Sequence, residues 1–126
     1  MAVTIEVVDS RWTAAAPQSA LLRLADAQLH GALAVGDWVP WRPVDWAAQT
    51  CRVLVGDEVV ERTGSHTLGD PVWGMPAWLR HATRHGRHVP AGSVVTTGTW
   101  CGLLPARRGD RVRAEFPGIG GAEARV

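Results

Sequence analysis

Thr97-Gly98-Thr99 is the part of this chain best suited to hold an anion. Its two hydroxyls and the free N–H groups of a turn can bind a carboxylate or an enolate. Gly98 lacks a Cβ, so the backbone can come close to another group there. Trp100 adds a bulky apolar wall beside it. His30 is a candidate for moving a proton, because an imidazole titrates near neutrality. Residue by residue, plainer readings are also open. The turn can simply join two core strands. Glu6 can be a solvated strand residue. Asp9 and Arg11 can form a local turn and ion pair, and His30 can be a helix-end residue favoured by the dipole.

Other residue clusters carry less. His81, His85 and His88 alternate with Arg80, Arg84 and Arg87. The i, i+4 pair His81 and His85 can chelate zinc. No acidic third ligand is near and the arginines repel a cation, so a solvated helix end is the better reading. Cys51 and Cys101 have neither metal nor thioredoxin spacing. They read as reduced core residues, with a disulfide as the alternative. All 13 basic residues are Arg, which excludes a Schiff-base lysine. Seven Trp against one Phe and no Tyr point to a bulky apolar surface: a core, a pocket or an interface.

The elements that must position these groups follow from pattern. Val3, Ile5 and Val7 alternate with Thr4 and Glu6, a strand with Glu6 on the opposite face. Pro17–Leu29 has leucines at helical spacing, with Pro17 in the first turn and Gly31 as a cap. Gly31–Gly36 is a short strand or connector. Asp37–Asp45 is irregular because of its prolines, and Trp38, Trp41 and Trp46 there line a pocket, cover the core or meet another subunit. Thr50–Val55 and Glu58–Arg62 form a hairpin around Gly56-Asp57. His66, in the loop Gly64–Asp70, reads as a surface residue. Pro71–His85 is a second helix in which Pro76 imposes a kink or a late start near Met75. Ser93–Thr97 is β-branched and reads as a strand, the first of three between Gly92 and Val126. Arg111–Phe116 alternates into another.

With 126 residues the chain has the length of one domain. A formal net charge of +1 gives no electrostatic footprint for nucleic acid. No run of about 18 apolar residues and no basic-then-apolar leader is present, so no membrane partner and a cytoplasmic location are expected.

Several stretches together resemble one family. AGSVVTTGTWCG followed by PARRGDRVRAEFPGIG is similar to the C-terminal tail of the fumarylacetoacetate hydrolase superfamily. Gly69-Asp70-Pro71 with Ala77-Trp78-Leu79, and Glu6-Val7-Val8-Asp9-Ser10-Arg11, resemble two more of its landmarks, in the right order. The nearest branch contains the 2-keto-4-pentenoate hydratases and 4-oxalocrotonate decarboxylases. The resemblance implies an α+β, mainly β fold, a mixed-sheet β-roll with two helices, in one domain over residues 1–126. It also implies that the family's N-terminal half, with its Glu-x-Glu metal ligands and lysine, is missing. Glu6 then matches one ligand of a divalent metal, if a metal is bound at all.

Three functions follow from the resemblance. The first is a metal-independent lyase, isomerase or cyclase acting on an apolar enolic or 2-oxo substrate in a Trp-lined pocket. In it Thr97, Gly98, Thr99, Trp100 and Arg11 bind substrate, and Glu6, His30 and Asp9 are catalytic. The second is half of a split metal-dependent hydratase or decarboxylase, and the third a non-catalytic binding subunit. On the first, no cofactor is expected. Mg²⁺ or Mn²⁺ enters only if a partner chain supplies the missing ligands. A small molecule is the expected ligand, and a homodimer or a complementary chain the expected partner.

Overall fold

Period-two alternation builds most of the regular structure. The computed structural model describes residues 1–12 and 19–126; Pro17, expected in the first helical turn, lies outside them. β1 (Thr4–Val8) pairs with β2 (His30–Val35) in a two-stranded ribbon. β3 (Thr50–Val55), β4 (Glu58–Thr63), β5 (Arg111–Phe116) and β6 (Gly120–Arg125) form a second sheet in the order β4-β3-β5-β6. Two helices, α1 (Ala20–Ala25) and α2 (Met75–Ala82), complete an α+β, mainly β architecture. Every ladder is antiparallel rather than mixed, because β3–β4 and β5–β6 are joined by tight turns that reverse the chain. No helix among the described residues is long and apolar enough to cross a membrane.

The four-stranded sheet sorts its side chains cleanly. Cys51 and Val53 on β3, Val112 and Ala114 on β5 and Ala122 on β6 share one face, and with Val3 and Ile119 they form the buried core. The other face is charged, with Arg52 opposite Glu115 and Arg113 opposite Glu123. Ion pairs join Arg111 to Glu123 at 2.6 Å and Arg113 to Glu115 at 2.7 Å. The ribbon meets this sheet backbone to backbone. Gly36 donates its N–H to Val3 O at 2.9 Å, and a Cβ on Gly36 would overlap the carbonyl oxygen of Gly121.

Several expectations shift. Gly31 is inside β2, not a helix cap. Of the two alternatives for the second helix, the late start is the one seen: α2 starts at Met75 with Pro76 in its first turn, where a missing N–H loses no bond. Ser93–Thr97 is not a strand, and Gly92–Val126 holds two strands rather than three. The run has strand-forming residues but no neighbouring strand to complete a ladder. Neither helix buries a residue. The chain exposes 8983 Å², on the order of 2,000 Å² more than a compact monomer of this size.

Candidate functional site

A hollow of about 950 Å³ opens over the core face of the large sheet. Val3, Cys51, Val53, Val112, Ala114 and Ile119 form both the core and its floor. β1 contributes Glu6 and the chain beyond it Asp9; the opposite wall is the segment from Val94 to Leu104, including Thr97, Gly98, Thr99 and Trp100. Trp38, Trp41 and Trp46 also line it. The free thiols of Cys51 and Cys101 meet there at 3.6 Å, and burial pushes the Cys51 thiol up to about 12.

Glu6 Oε1 accepts a hydrogen bond from His30 Nδ1 at 2.8 Å. Simple alternation would forbid this pair. Glu6 lies opposite Leu33 and Val7 opposite Ala32, a register that would set Val8 opposite Gly31 and turn His30 to the other face. A bulge between Val7 and Val8 instead brings His30 opposite Val8, on the face of Glu6. Gly31 permits it, because a Cβ there would sit 2.9 Å from Val7 O. A carboxylate only accepts, so the contact places a proton on Nδ1 and leaves Nε2 available. His30 itself is not part of the lining; it reaches the hollow only through Glu6.

Arg11 is not part of the lining either. Its Nη1 pairs with Asp26 Oδ1 at 2.8 Å and its Nη2 donates to His30 O at 2.6 Å. Ser10 Oγ donates to Asp26 Oδ2 at 2.9 Å. Asp26 is 3% exposed, and the hydrogen bond from Arg11 is the main reason its carboxyl sits below the usual carboxylate range. Asp26 anchors a turn in which Ala27, Gln28 and Leu29 all have positive φ, at 49°, 59° and 68°. Three such residues in a row are strained without glycine. Asp9 N–H donates to Leu29 O at 2.9 Å, which closes the turn against the end of β1. Sequence reasoning missed Asp26. Its signal is an acid at a helix C-terminus, where the dipole disfavours one, so a cation from elsewhere must answer it.

On the opposite wall, Thr99 Oγ1 turns back to accept the Gly102 N–H at 3.1 Å. Among the described residues no hydrogen bond uses the backbone N–H of Gly98 or Thr99 or the Thr97 hydroxyl. The space left by the missing Cβ of Gly98, whose φ is +127°, is filled by His66 rather than by open hollow: a Cβ would lie 2.8 Å from its Nε2. His66 is therefore not the surface residue its loop suggested; it is 5% exposed. Its Nε2 donates to Thr97 O at 2.9 Å and its ring lies 4.7 Å from that of Trp100. Trp100 also meets Trp46 and, edge-on, Phe116.

No three metal-binding side chains gather among the described residues, and Glu6 and Asp9 are the carboxylates of the hollow. A hard divalent ion takes six or more oxygens. The residues present do not by themselves make up a metal site. His81, His85 and His88 stay at an exposed helix end, where Arg84 Nη2 donates to His81 Nε2 at 2.9 Å.

The description "Fumarylacetoacetate (FAA) hydrolase C-terminal" matches residues 1–126. The chain is 31% identical over 127 residues to 2-keto-4-pentenoate hydratase 1 of Dechloromonas aromatica (strain RCB), covering 96% of this chain and 46% of that protein. It is also similar to 4-oxalocrotonate decarboxylase from Pseudomonas putida G7, solved in complex with calcium and acetate and in complex with magnesium and adipate. In both cases the TM-score is 0.77 at 25% identity over 98% of this chain, with 47% and 48% of the other chain covered. The chain thus spans about half the length of the relatives it matches. The calcium and magnesium in those structures overturn the expectation that no cofactor is needed.

Proposed function

Since the chain belongs to the fumarylacetoacetate hydrolase family, we propose that it forms part of the active site of a hydratase- or decarboxylase-type lyase acting on a small 2-oxo acid or its enol. The observation that carries this is the placement of Glu6, bonded to His30, on the same hollow as the Thr97-Gly98-Thr99 turn. Glu6 delivers a proton to the carbon next to the enol. It receives that proton from Nδ1 of the half-exposed His30 across the 2.8 Å contact, while the bare Nε2 of His30 takes a replacement from solvent. The unbonded N–H groups of Gly98 and Thr99 hold the ligand's carboxylate or developing enolate. Arg11 acts indirectly: held by Asp26, it fixes the His30 backbone through its own hydrogen bond to His30 O. Tryptophans exclude water from the apolar part of the substrate.

The rest of the site comes from polypeptide beyond these residues. Two features support this. The chain covers under half of each relative, and its surface excess is of the order buried in an obligate interface, about 2,000 Å² or more. That polypeptide carries the further ligands a divalent ion needs. We place residues 1–126 together as one unit of that assembly.

Titration with 2-keto-4-pentenoate in the presence of Mg²⁺, read by tryptophan fluorescence, tests the reading. Saturable quenching is expected, lost in Thr97→Val and altered in Glu6→Gln. Addition of a polypeptide matching the relatives' remaining half is expected to bring turnover, with Glu6→Gln about 100-fold slower. Full turnover in that variant sinks the role of Glu6.

A further inference from the structure

We infer that His66 is the positioning residue of the ligand-binding turn, holding Thr97-Gly98-Thr99 as the neutral tautomer with its proton on Nε2. This deepens the proposed function and rests on it for the identity of the ligand, but not for the geometry.

The segment 91–107 contains no strand or helix, so no ladder fixes its position. The loop before α2 holds it instead. Ser65 Oγ donates to Trp100 O at 2.8 Å, and His66 Nε2 donates to Thr97 O at 2.9 Å. His66 Nδ1 accepts the Leu68 N–H at 3.2 Å and therefore carries no proton. Both ring nitrogens are thus committed, and the tautomer follows from the partners, since a backbone carbonyl only accepts and an amide N–H only donates. The ring also packs against Trp100 and fills the space beside Gly98, which only glycine leaves open. Satisfying the Thr97 carbonyl from outside leaves the Gly98 and Thr99 N–H groups unbonded on the hollow. A buried hydrogen bond that sets the direction of a neighbouring donor pair controls how well an anion sits on that pair.

The test uses the whole chain, isotopically labelled for NMR, with pyruvate plus Mg²⁺ as the probe. In the wild-type protein the imidazole spectrum of His66 should show a protonated Nε2 and a bare Nδ1. In His66→Ala the amide resonances of Gly98, Thr99 and Trp100 should shift or broaden while those of β3 and β4 stay in place, and pyruvate affinity should fall about tenfold. His66→Gln places an amide donor where Nε2 was. It should restore the resonances, and the affinity to within about threefold. If His66→Ala does not fold, His66→Asn, too short to reach Thr97, takes its place. Unchanged Gly98–Trp100 resonances in the Ala or Asn variant overturn the inference. So does a Gln variant as perturbed as Ala, since ring packing rather than the hydrogen bond would then be the cause. If wild type binds no pyruvate, the proposed function fails, and the amide resonances still decide the role of His66.

Discussion

Val53 and Val94 stand in two similar runs, TCRVLV and SVVTT, and end in opposite states. Val53 lies in β3 between β4 and β5 and is buried. Val94 lies in a segment without a ladder and is exposed. Residue type is not what separates them. β3 has a neighbour on each side within this chain, whereas residues 93–97 have none. The same split runs through the molecule. The large sheet bonds its inner strands β3 and β5 on both sides and pairs charges on its outer face. α1 leaves Leu21 76% exposed, and Leu103 in the segment is 77% exposed. One region is finished by its own residues, and the other is made for a surface outside them.

The contrast breaks most sharply at the joint between ribbon and sheet. Gly36→Ala should destabilise the chain by about 3 kcal/mol or more, because the new methyl must displace the Gly121 backbone. A urea midpoint close to wild type would mean that the two sheets do not meet this way. Val53→Ala should cost about 2 kcal/mol by the same measurement.

That much of the fold was legible beforehand, for a physical reason. The Gly56-Asp57 hairpin and the alternation of Arg111–Phe116 are local signals, and the sheet needs only local signals and its own neighbours. The delayed start of α2 was readable because Pro76 constrains its own backbone wherever it stands. What could not be read depended on distant partners. His66 sits between Ser65 and Thr67 in a polar loop, and Thr97, Gly98 and Trp100, against which it bonds and packs, lie some thirty residues on. His30 reaches Glu6 only through a bulge that no period predicts. The strand in Ser93–Thr97 required a neighbour the chain does not hold.

The remaining predictions sharpen the contrast on the less finished side. The Arg11 hydrogen bond lowers the folded-state pKa of Asp26 below its unfolded value. Its stabilisation is therefore fully present above the ordinary carboxylate pKa of about 4 and is lost as pH falls through the lowered value. Thermal melts should show Asp26→Asn less stable than wild type at pH 7, with the gap closing on acidification. A gap that stays constant to low pH would exclude the ion pair as its cause. Gln28→Gly should raise stability by about 0.5–1 kcal/mol by relieving a left-handed residue. Smallest of all, Leu21→Ser and Leu24→Ser should change stability by less than about 0.5 kcal/mol in the isolated chain. A loss as large as that of Val53→Ala would show α1 already covered.

The bulge at Gly31 has a consequence for how this ribbon tolerates change in length. Removing that one glycine would restore strict alternation with His30 still opposite Val8 and on the side of Glu6, every other pairing intact. The change that would undo the dyad is a side chain at position 31, since it crowds Val7 O and favours the straight register in which residue 31 faces Val8 and His30 turns away.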